Sequence, residues 1–480
     1  MRVISWFIEK GSRRRRKRTL FHMLWIFLAS RIAYFLMGVR FNDSWIREGC
    51  MTLIPYELLH TDLFSSIWHF HVQPPLFNLL CGIVVKIFGD SHTVAFHGVY
   101  LITGLALLAA LYTLMVSLGV PYRFAACLAI FFVLSPESIL YENLILYPHL
   151  VAMLIVISCV SLHQYISTFK WQWGAATFLL WSTIMLTRSM FHLIWFLVGV
   201  IIIITLSPRI WKRTMIIAAI PFLLAFGWYA KNYVLFGQFT SSTWLGMNMS
   251  RVAVSELTEE EKIALAREGE VSEFVFLRPF PGFWQFSGNV NLPATPETGV
   301  KVLDYRYNEN KLSNYNNIVF PCLSKQFQKD SFAIIRNYPA IFLFRSLRSS
   351  FGMFFAPSNT WFSIDSSENA KIIQSIIPIW NAVFYGDFSK DPKNIGWFIL
   401  GVYASVIGYW LMRLIRSIPK LRKNTPFFTV VMFMLMTVLY VTLVGNLFEL
   451  GENMRFHYNI DPLVLTLFAL MLVRSVRKII

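Results

Sequence analysis

The sequence predicts an all-α polytopic membrane protein: a bundle of about ten transmembrane helices with juxtamembrane helices on the non-cytoplasmic side and a modest external domain. Composition is the first reason. Of 480 residues, 56% are hydrophobic and only 14% charged, where a soluble domain carries roughly 25% charged residues. The second is the recurrence of apolar runs of about 18 or more residues, which only helices carry across hydrocarbon with every backbone group bonded. The third is the placing of Lys and Arg in short clusters beside those runs. This accounts for the net charge of +17 by the positive-inside rule and leaves no case for nucleic acid as a partner.

The first element opens with "GSRRRRKRTLFHMLWIFLASRIAYFLMG". A basic flank leads into a long apolar run with no small-residue cleavage site, the pattern of an uncleaved anchor. Full spans are predicted at 20–39, 93–118, 121–135, 149–166, 171–187, 190–206, 214–230, 395–414, 426–446 and 463–473. Between them lie "RRRRKR", Arg123, Lys170, "PRIWKR", "RLIRSIPKLRK" and "RSVRKII". Ten crossings starting from a cytoplasmic N-terminus put all of these clusters, and both termini, on the cytoplasmic side.

The segment "QPPLFNLLCGIVVKIFG", 73–89, is too short in its apolar part to cross and starts with two prolines. It is predicted to lie in, or dip into, the outer leaflet. Residues 340–356, apolar but carrying Arg345 and Arg348, read as an interfacial helix, with a pair of extra crossings between 331 and 393 as the alternative. Three divisions follow: 1–230, a membrane core with the first external loop; 231–394, an external domain with interfacial helices; and 395–480, the C-terminal membrane helices. The five cysteines have no CxxC spacing, so neither a zinc nor a redox motif is indicated.

Polar side chains are expensive near hydrocarbon, so their gathering places carry information. Outside the cytoplasm they gather at "FNDSW", "HFHVQPPLFN", "SPESILYENLILYPHL", "WYAKNYVLFGQF" and "GENMRFHYNIDPL". No GxxxxGK[ST] or GxGxxG occurs to drive nucleotide chemistry. Arg31 sits inside the first span and requires a partner there, either a structural ion pair or a lipid phosphate. Arg188 and Lys231 fall near outer helix ends, where snorkelling or a phosphate contact would each explain them. Aromatic clusters in "WLGMN", "GFWQF" and "NTWF" read as interfacial anchors or as stacking surfaces for a sugar ring.

The order and shared face of these motifs resemble the GT-C membrane glycosyltransferases. The similar branch includes protein O-mannosyltransferases, lipid A aminoarabinose transferases and lipopolysaccharide-core transferases. The resemblance implies a GT-C-like bundle that moves a sugar from a polyprenyl-phosphate carrier to an extracytoplasmic glycan, lipid or protein acceptor, with inversion. It implies Asp43 as general base and Glu142 as a second catalytic acidic group, for acceptor or metal. It further implies His71, Gln73, Lys231, Arg455 and Tyr458 as substrate or carrier contacts. Glu142 and His71 are the candidates for a divalent metal, the one cofactor considered. On residue type alone, Asp43 is equally a helix cap, and the two histidines of "HFH" are equally packing groups. A transporter or flippase of lipid-linked saccharides or another small solute is the competing class, with Arg31 in its favour. The absence of an internal repeat and the crowding of polar groups at one interface speak against it.

Overall fold

The computed structural model describes residues 12–286, 292–386, 396–417 and 425–479. The boundary expected at 394/395 and part of the basic run 413–423 lie outside them. The described chain is helical, and its only extended pairing consists of isolated bridges.

Helix α1 (Arg13–Leu36) begins at Ser12, whose hydroxyl caps Arg15 N–H, so the arginine run forms its first turns. A short α2 (Ser44–Glu48) follows. The 13-residue α3 (Leu76–Phe88) and α4 (His92–Ser117) are joined through Gly89, at φ +49°, a conformation that favours glycine. Next come α5 (Tyr122–Val133) and α6 (Pro136–Glu142), bent by 58°. The bend has a local cause: Ser135 caps Ser138 N–H and Pro136 occupies the first turn, so "SPE" starts a new helix. The bundle continues with α7 (Pro148–Thr168), α8 (Trp171–Thr187), α9 (Leu193–Leu206) and α10 (Trp211–Phe236). On the loop face α11 (Leu245–Val254) packs against α12 (Val319–Asn337). Then come α13 (Trp397–Ser417), α14 (Thr425–Leu447), α15 (Met454–Tyr458) and α16 (Asp461–Ile479).

Each of the ten predicted spans falls on a helix, and fewer than ten of these helices have the length and apolarity of a full crossing. Among the described residues, six segments are long and apolar enough to cross a membrane, and the bent α5–α6 pair would make a seventh. The shortfall lies in α8, of 17 residues, in α9, of 14, and in α16, which ends in Arg474, Arg477 and Lys478. Between 331 and 386 no helix qualifies. Residues 339–354 form one helical run with a π-turn at Phe342–Ser346 and exposed Leu343 and Phe344, the form of an interfacial helix.

Helix α11 approaches α12 closely because Gly246 has no side chain. A Cβ there would stand 1.7 Å from the Ser324 carbonyl oxygen. Residues "TEEEKIALAREGE" include the helix Glu259–Arg267, started by a Thr258/Glu261 capping box. A small second core of Leu257, Leu265, Val275 and Ile334 secures it. All five cysteines are free.

Arg31 finds its partner across the bundle. Its Nε and Nη2 donate to the two carboxylate oxygens of Glu142 at 2.8 and 2.6 Å. Nη2 also donates to the Val133 carbonyl, and Nη1 to Ser30 Oγ, both at 3.0 Å. The pair ties α1 to the bend between α5 and α6. It fits because Gly104 of α4 leaves the space: a Cβ there would lie 2.2 Å from Glu142 Oε2. Replacing one member leaves a buried charge without its counterion, worth about 3–5 kcal/mol. Arg31→Leu is expected to lower the thermal stability of the detergent-solubilised protein sharply, and Arg31→Leu/Glu142→Leu to recover much of it. Equal melting of the single variant and wild type would show that the pair does not hold the bend.

Candidate functional site

The first external loop is stitched to the segment after α6. Asn42 N–H donates to the Asn143 carbonyl at 2.8 Å, and Ile145 N–H to the Asn42 carbonyl at 3.0 Å. This fixes Asp43 as the residue preceding α2, although its side chain makes no cap bond. Asp43 Oδ2 instead accepts from Thr93 Oγ1 at 2.6 Å and lies 3.2 Å from His92 Nε2, both at the start of α4. His92 is held in turn by the Gly89 carbonyl, 2.6 Å from Nδ1. The Asp43 side chain keeps 14% exposure.

Two residues further on, Trp45 lines a cavity of about 280 Å³ between the first loop, the loop-face domain and α15. Arg188, Arg251, Arg455, Glu449, Glu452 and Gln73 also line it. Arg251 Nη1 donates to Glu449 Oε1 at 2.6 Å, Arg455 pairs with Glu452, and Ser189 Oγ donates to Gln73 Oε1 at 2.9 Å. Burial alone would raise the carboxyl pKa of Glu452, but the guanidiniums of Arg455, Arg251 and Arg188 outweigh it and hold that carboxyl below its ordinary value. Glu449 goes the other way: burial raises it, and the neighbouring Glu452 adds to the shift while Arg251 opposes it. Three cations against two carboxylates leave an excess of one positive charge in the lining.

The cavity wall is also rich in unused donors. Arg188 Nε, Arg455 Nε and the indole Nε1 of Trp244 and Trp361 are buried with no hydrogen-bond partner among the described residues, and all four residues line this cavity. Buried donors without acceptors are rare and call for an explanation. The four nitrogens are themselves closed to solvent, so an oxygen-rich anion in the cavity meets them only with a shift of these side chains. The Arg455 guanidinium lies over the Trp361 ring at 4.9 Å, and that of Arg251 over Phe280 at 4.7 Å.

Helix α15 separates this cavity from an apolar groove of about 510 Å³. Arg455 faces the first, while Tyr458, one turn later, lines the second with Phe131, Phe132, Trp380 and Phe384. Glu137 and Asp461 give the groove two carboxyls. Tyr458 is stacked on Tyr141 with centroids 4.4 Å apart, and its hydroxyl lies 2.8 Å from His149 Nδ1.

Several predicted site residues are engaged elsewhere. Both nitrogens of His71 are used: Nε2–H donates to the Asn316 carbonyl at 2.9 Å, and Nδ1 lies 2.7 Å from Thr243 Oγ1, which donates to it. Burial pushes the imidazole down to about 3, so it is neutral. It ties the "HFH" strand of chain to the loop-face domain, and no lone pair is left for a metal. Both oxygens of Glu142 are taken by Arg31. Among the described residues, no group of three or more His, Cys, Asp or Glu could hold a metal ion, and the two metal candidates, Glu142 and His71, are each engaged by other protein groups. Lys231 donates to the Phe70 carbonyl at 2.6 Å and sits 3.5 Å from the Trp228 ring centroid; it is not among the residues lining the arginine-rich cavity. Asp43 does not line it either. Gln73 and Arg455 do. Arg251, Glu449, Trp244 and Trp361 were not singled out as site residues. The two tryptophans did carry a signal, in "WLGMN" and "NTWF"; Arg251 lay at the start of a polar stretch, 198 residues before the glutamate it meets in space.

No protein-family model, curated protein or solved structure matches the chain. The fold and its six qualifying helices define an all-α chain of multi-pass membrane type.

His457 of α15 supplies a pH-dependent contact beside the site. Its Nε2 donates to the Ala356 carbonyl at 3.0 Å and its Nδ1 lies 2.8 Å from Asp461 Oδ2. Burial would lower the imidazole pKa, but the Asp461 carboxylate outweighs it and the value is raised. The native state therefore binds this proton more tightly than the unfolded chain. The stabilisation is complete below the ordinary histidine pKa near 6.5 and is lost as pH rises through the higher native value. The melting-temperature gap between wild type and His457→Gln should accordingly narrow from about pH 6 to pH 9. A gap that stays constant over that range would mean that the contact carries no bound proton.

Proposed function

We propose that the protein is an integral-membrane glycosyltransferase of GT-C-like design, drawing on a polyprenyl-phosphate-linked sugar and acting at the loop face. The observation that supports this most is the cavity with three guanidiniums and four unpartnered donors. A phosphate monoester or diester supplies the negative charge and the acceptor oxygens that such a wall lacks. A lipid chain attached to that phosphate has the apolar groove on the other side of α15. A ten-crossing arrangement belongs to the same proposal. It keeps the arginine-rich ends of α1, α10 and α16 together and away from the loop face. Local ties at that end agree: Tyr112 donates to the Arg16 carbonyl, and Arg213 to the Phe169 carbonyl at 2.7 Å.

In the proposed reaction the sugar extends from the cavity past Trp45 toward the first loop, and the acceptor hydroxyl loses its proton there to Asp43, which stands outside the cavity lining, as its oxygen attacks the anomeric carbon. The bond between that carbon and the phosphate oxygen breaks, inverting the carbon, and the electron pair leaves on the polyprenyl phosphate, where Arg455 and Arg188 balance its charge. Thr93 holds one Asp43 oxygen, with His92 Nε2 3.2 Å from it, and leaves the other for the acceptor. Glu449 and Glu452 are weaker candidates for the base because each is already paired with a guanidinium. Gln73 and Tyr458 flank the carrier, one in each hollow. Saturation of Arg31 by Glu142 accounts for that arginine without transport and removes the main feature that favoured a transporter.

Reconstituted protein with a polyprenyl-phosphate sugar donor tests the assignment. Asp43→Asn should fold normally and lower turnover by about 100-fold or more. Arg455→Ala should raise the carrier KM by about 10- to 100-fold, the value of a hydrogen bond to a charged group. Glu449→Gln is the control: if it abolishes turnover while Asp43→Asn does not, the base is in the cavity and Asp43 is not it.

A further inference from the structure

The segment 319–355, made of helix α12 and the helical run after it, is tied to the loop-face ends of three membrane helices. At its start Gln238, just past the end of α10, donates from Nε2 to the Pro321 carbonyl at 2.9 Å. Near its finish Ser350 Oγ donates to the Asn446 carbonyl, in the last turn of α14, at 2.8 Å. Phe355, its last residue, accepts from Gly396 N–H at 3.0 Å, directly before α13. Helices α10, α13 and α14 are all long and apolar enough to cross a membrane. On the last turns of α10 Tyr233 and Val234 are exposed, as lipid-facing side chains are. The segment thus begins and ends at the bilayer boundary, and the 19 residues of α12 alone cover about 28 Å.

One side of α12 is covered by the loop-face domain. Phe327 meets Phe274, Ile334 belongs to the small second core, and Asp330 accepts from Ser272 N–H at 3.1 Å. The opposite side is a stripe at helical spacing: Cys322, Lys325, Lys329, Phe332 and Arg336, all exposed. Lys325 is accounted for, because its ammonium lies beside Gly237, where the dipole of α10 ends negative. Lys329 and Arg336 are joined by Arg345 and Arg348 of the following helical run, also exposed. Asp330 is the one acid between 319 and 355, and it is buried. Two acids of the loop-face domain reach the segment, Glu256 at Ser349 and Glu270 at Asn337. Among the described residues none of the four cations is in an ion pair. Apolar side chains stand among them, Phe332 with 57% of its surface exposed and Phe344 with 74%. A solvated basic face intersperses acids and keeps phenylalanine inside; this one does neither.

We propose that the outward side of 319–355 is a docking surface for anionic phospholipid of the leaflet that borders the loop face. Headgroup phosphates answer Lys329, Arg336, Arg345 and Arg348, while Phe332, Leu343 and Phe344 enter the acyl boundary. Apolar wedges alone would seat in any bilayer, and cations alone on any polyanion. The two together select a negatively charged lipid surface, on which each basic residue is worth about fivefold in affinity. The surface shares no residue with the lining of the arginine-rich cavity, so the inference stands apart from the transferase reading.

The test uses full-length protein in nanodiscs of phosphatidylcholine, with and without admixed phosphatidylglycerol, read by hydrogen–deuterium exchange of peptides covering 319–355. Wild type should exchange about fivefold or more slowly in the anionic discs at low ionic strength, and the gap should close in high salt. The variant Lys329→Gln/Arg336→Gln/Arg345→Gln/Arg348→Gln should match wild type in phosphatidylcholine and lose the added protection in the anionic discs. Arg345→Gln/Arg348→Gln, a milder change that leaves α12 untouched, should lose part of it, and Lys329→Arg should keep it. Phe344→Ser should speed exchange in both lipids. Equal exchange of wild type in the two lipids would overturn the proposal, as would added protection that survives undiminished in both glutamine variants. So would equal protection from dextran sulfate added to phosphatidylcholine discs, which would make a soluble polyanion the partner.

Discussion

A charge taken out of water has to be balanced, and that constraint organises this molecule. Within the bundle it is met one to one. Arg31 and Glu142 close on each other through two hydrogen bonds, and backbone and hydroxyl oxygens absorb the remaining guanidinium donors. The result is a pin, which ties α1 to the helix after the Ser135 bend, next to the Asn143–Ile145 segment to which the first loop is bridged. The position of Asp43 follows from that bridge. At the loop face the same constraint is left incompletely met. Arg188, Arg251 and Arg455 face Glu449 and Glu452, and the surplus positive charge sits with donors that find no protein acceptor. A low-dielectric wall of this kind attracts an anion strongly. The pin and the cavity are two answers to one electrostatic requirement, the first closed by protein groups and the second left with a net positive charge.

The short α15 does most of the spatial organisation at the site. Five residues long, it turns Arg455 to the polar cavity and Tyr458 to the apolar groove. His457, between them, bonds Ala356 and Asp461 and so holds the turn to the segment after the interfacial helix and to the start of α16. A ligand with a phosphate head and a hydrocarbon tail matches the two hollows that this helix divides.

How much of this could be read in the sequence depends on the range of the interaction concerned. Apolar runs of helical length located every membrane helix, because hydropathy is a local property. Six described segments have the length and apolarity of a full crossing, seven with the bent α5–α6 pair, whereas α8, α9 and α16 fall short of that measure. The break at "SPE" and the short helix after "QPP" were legible for the same local reason, proline and serine chemistry. Arg31 announced that it needed a partner but could not name Glu142, 111 residues away. His71 shows the limit of local reading. A histidine among aromatics in a loop looks like a ligand, yet its two nitrogens are committed to Thr243 and Asn316, which no spacing rule connects to it. Arg251 and Glu449 were missed because their pairing, across 198 residues, exists only in three dimensions.

The claim on which the account turns is that the arginine-rich cavity handles a sugar while it is still bound to a lipid phosphate. Mass spectrometry of lipid-linked sugars and of surface glycans, in cells with and without the protein, addresses it most directly. Loss of the protein is predicted to make one polyprenyl-phosphate-linked sugar accumulate and to strip the matching sugar from a surface glycan. Unchanged levels of both would contradict the account.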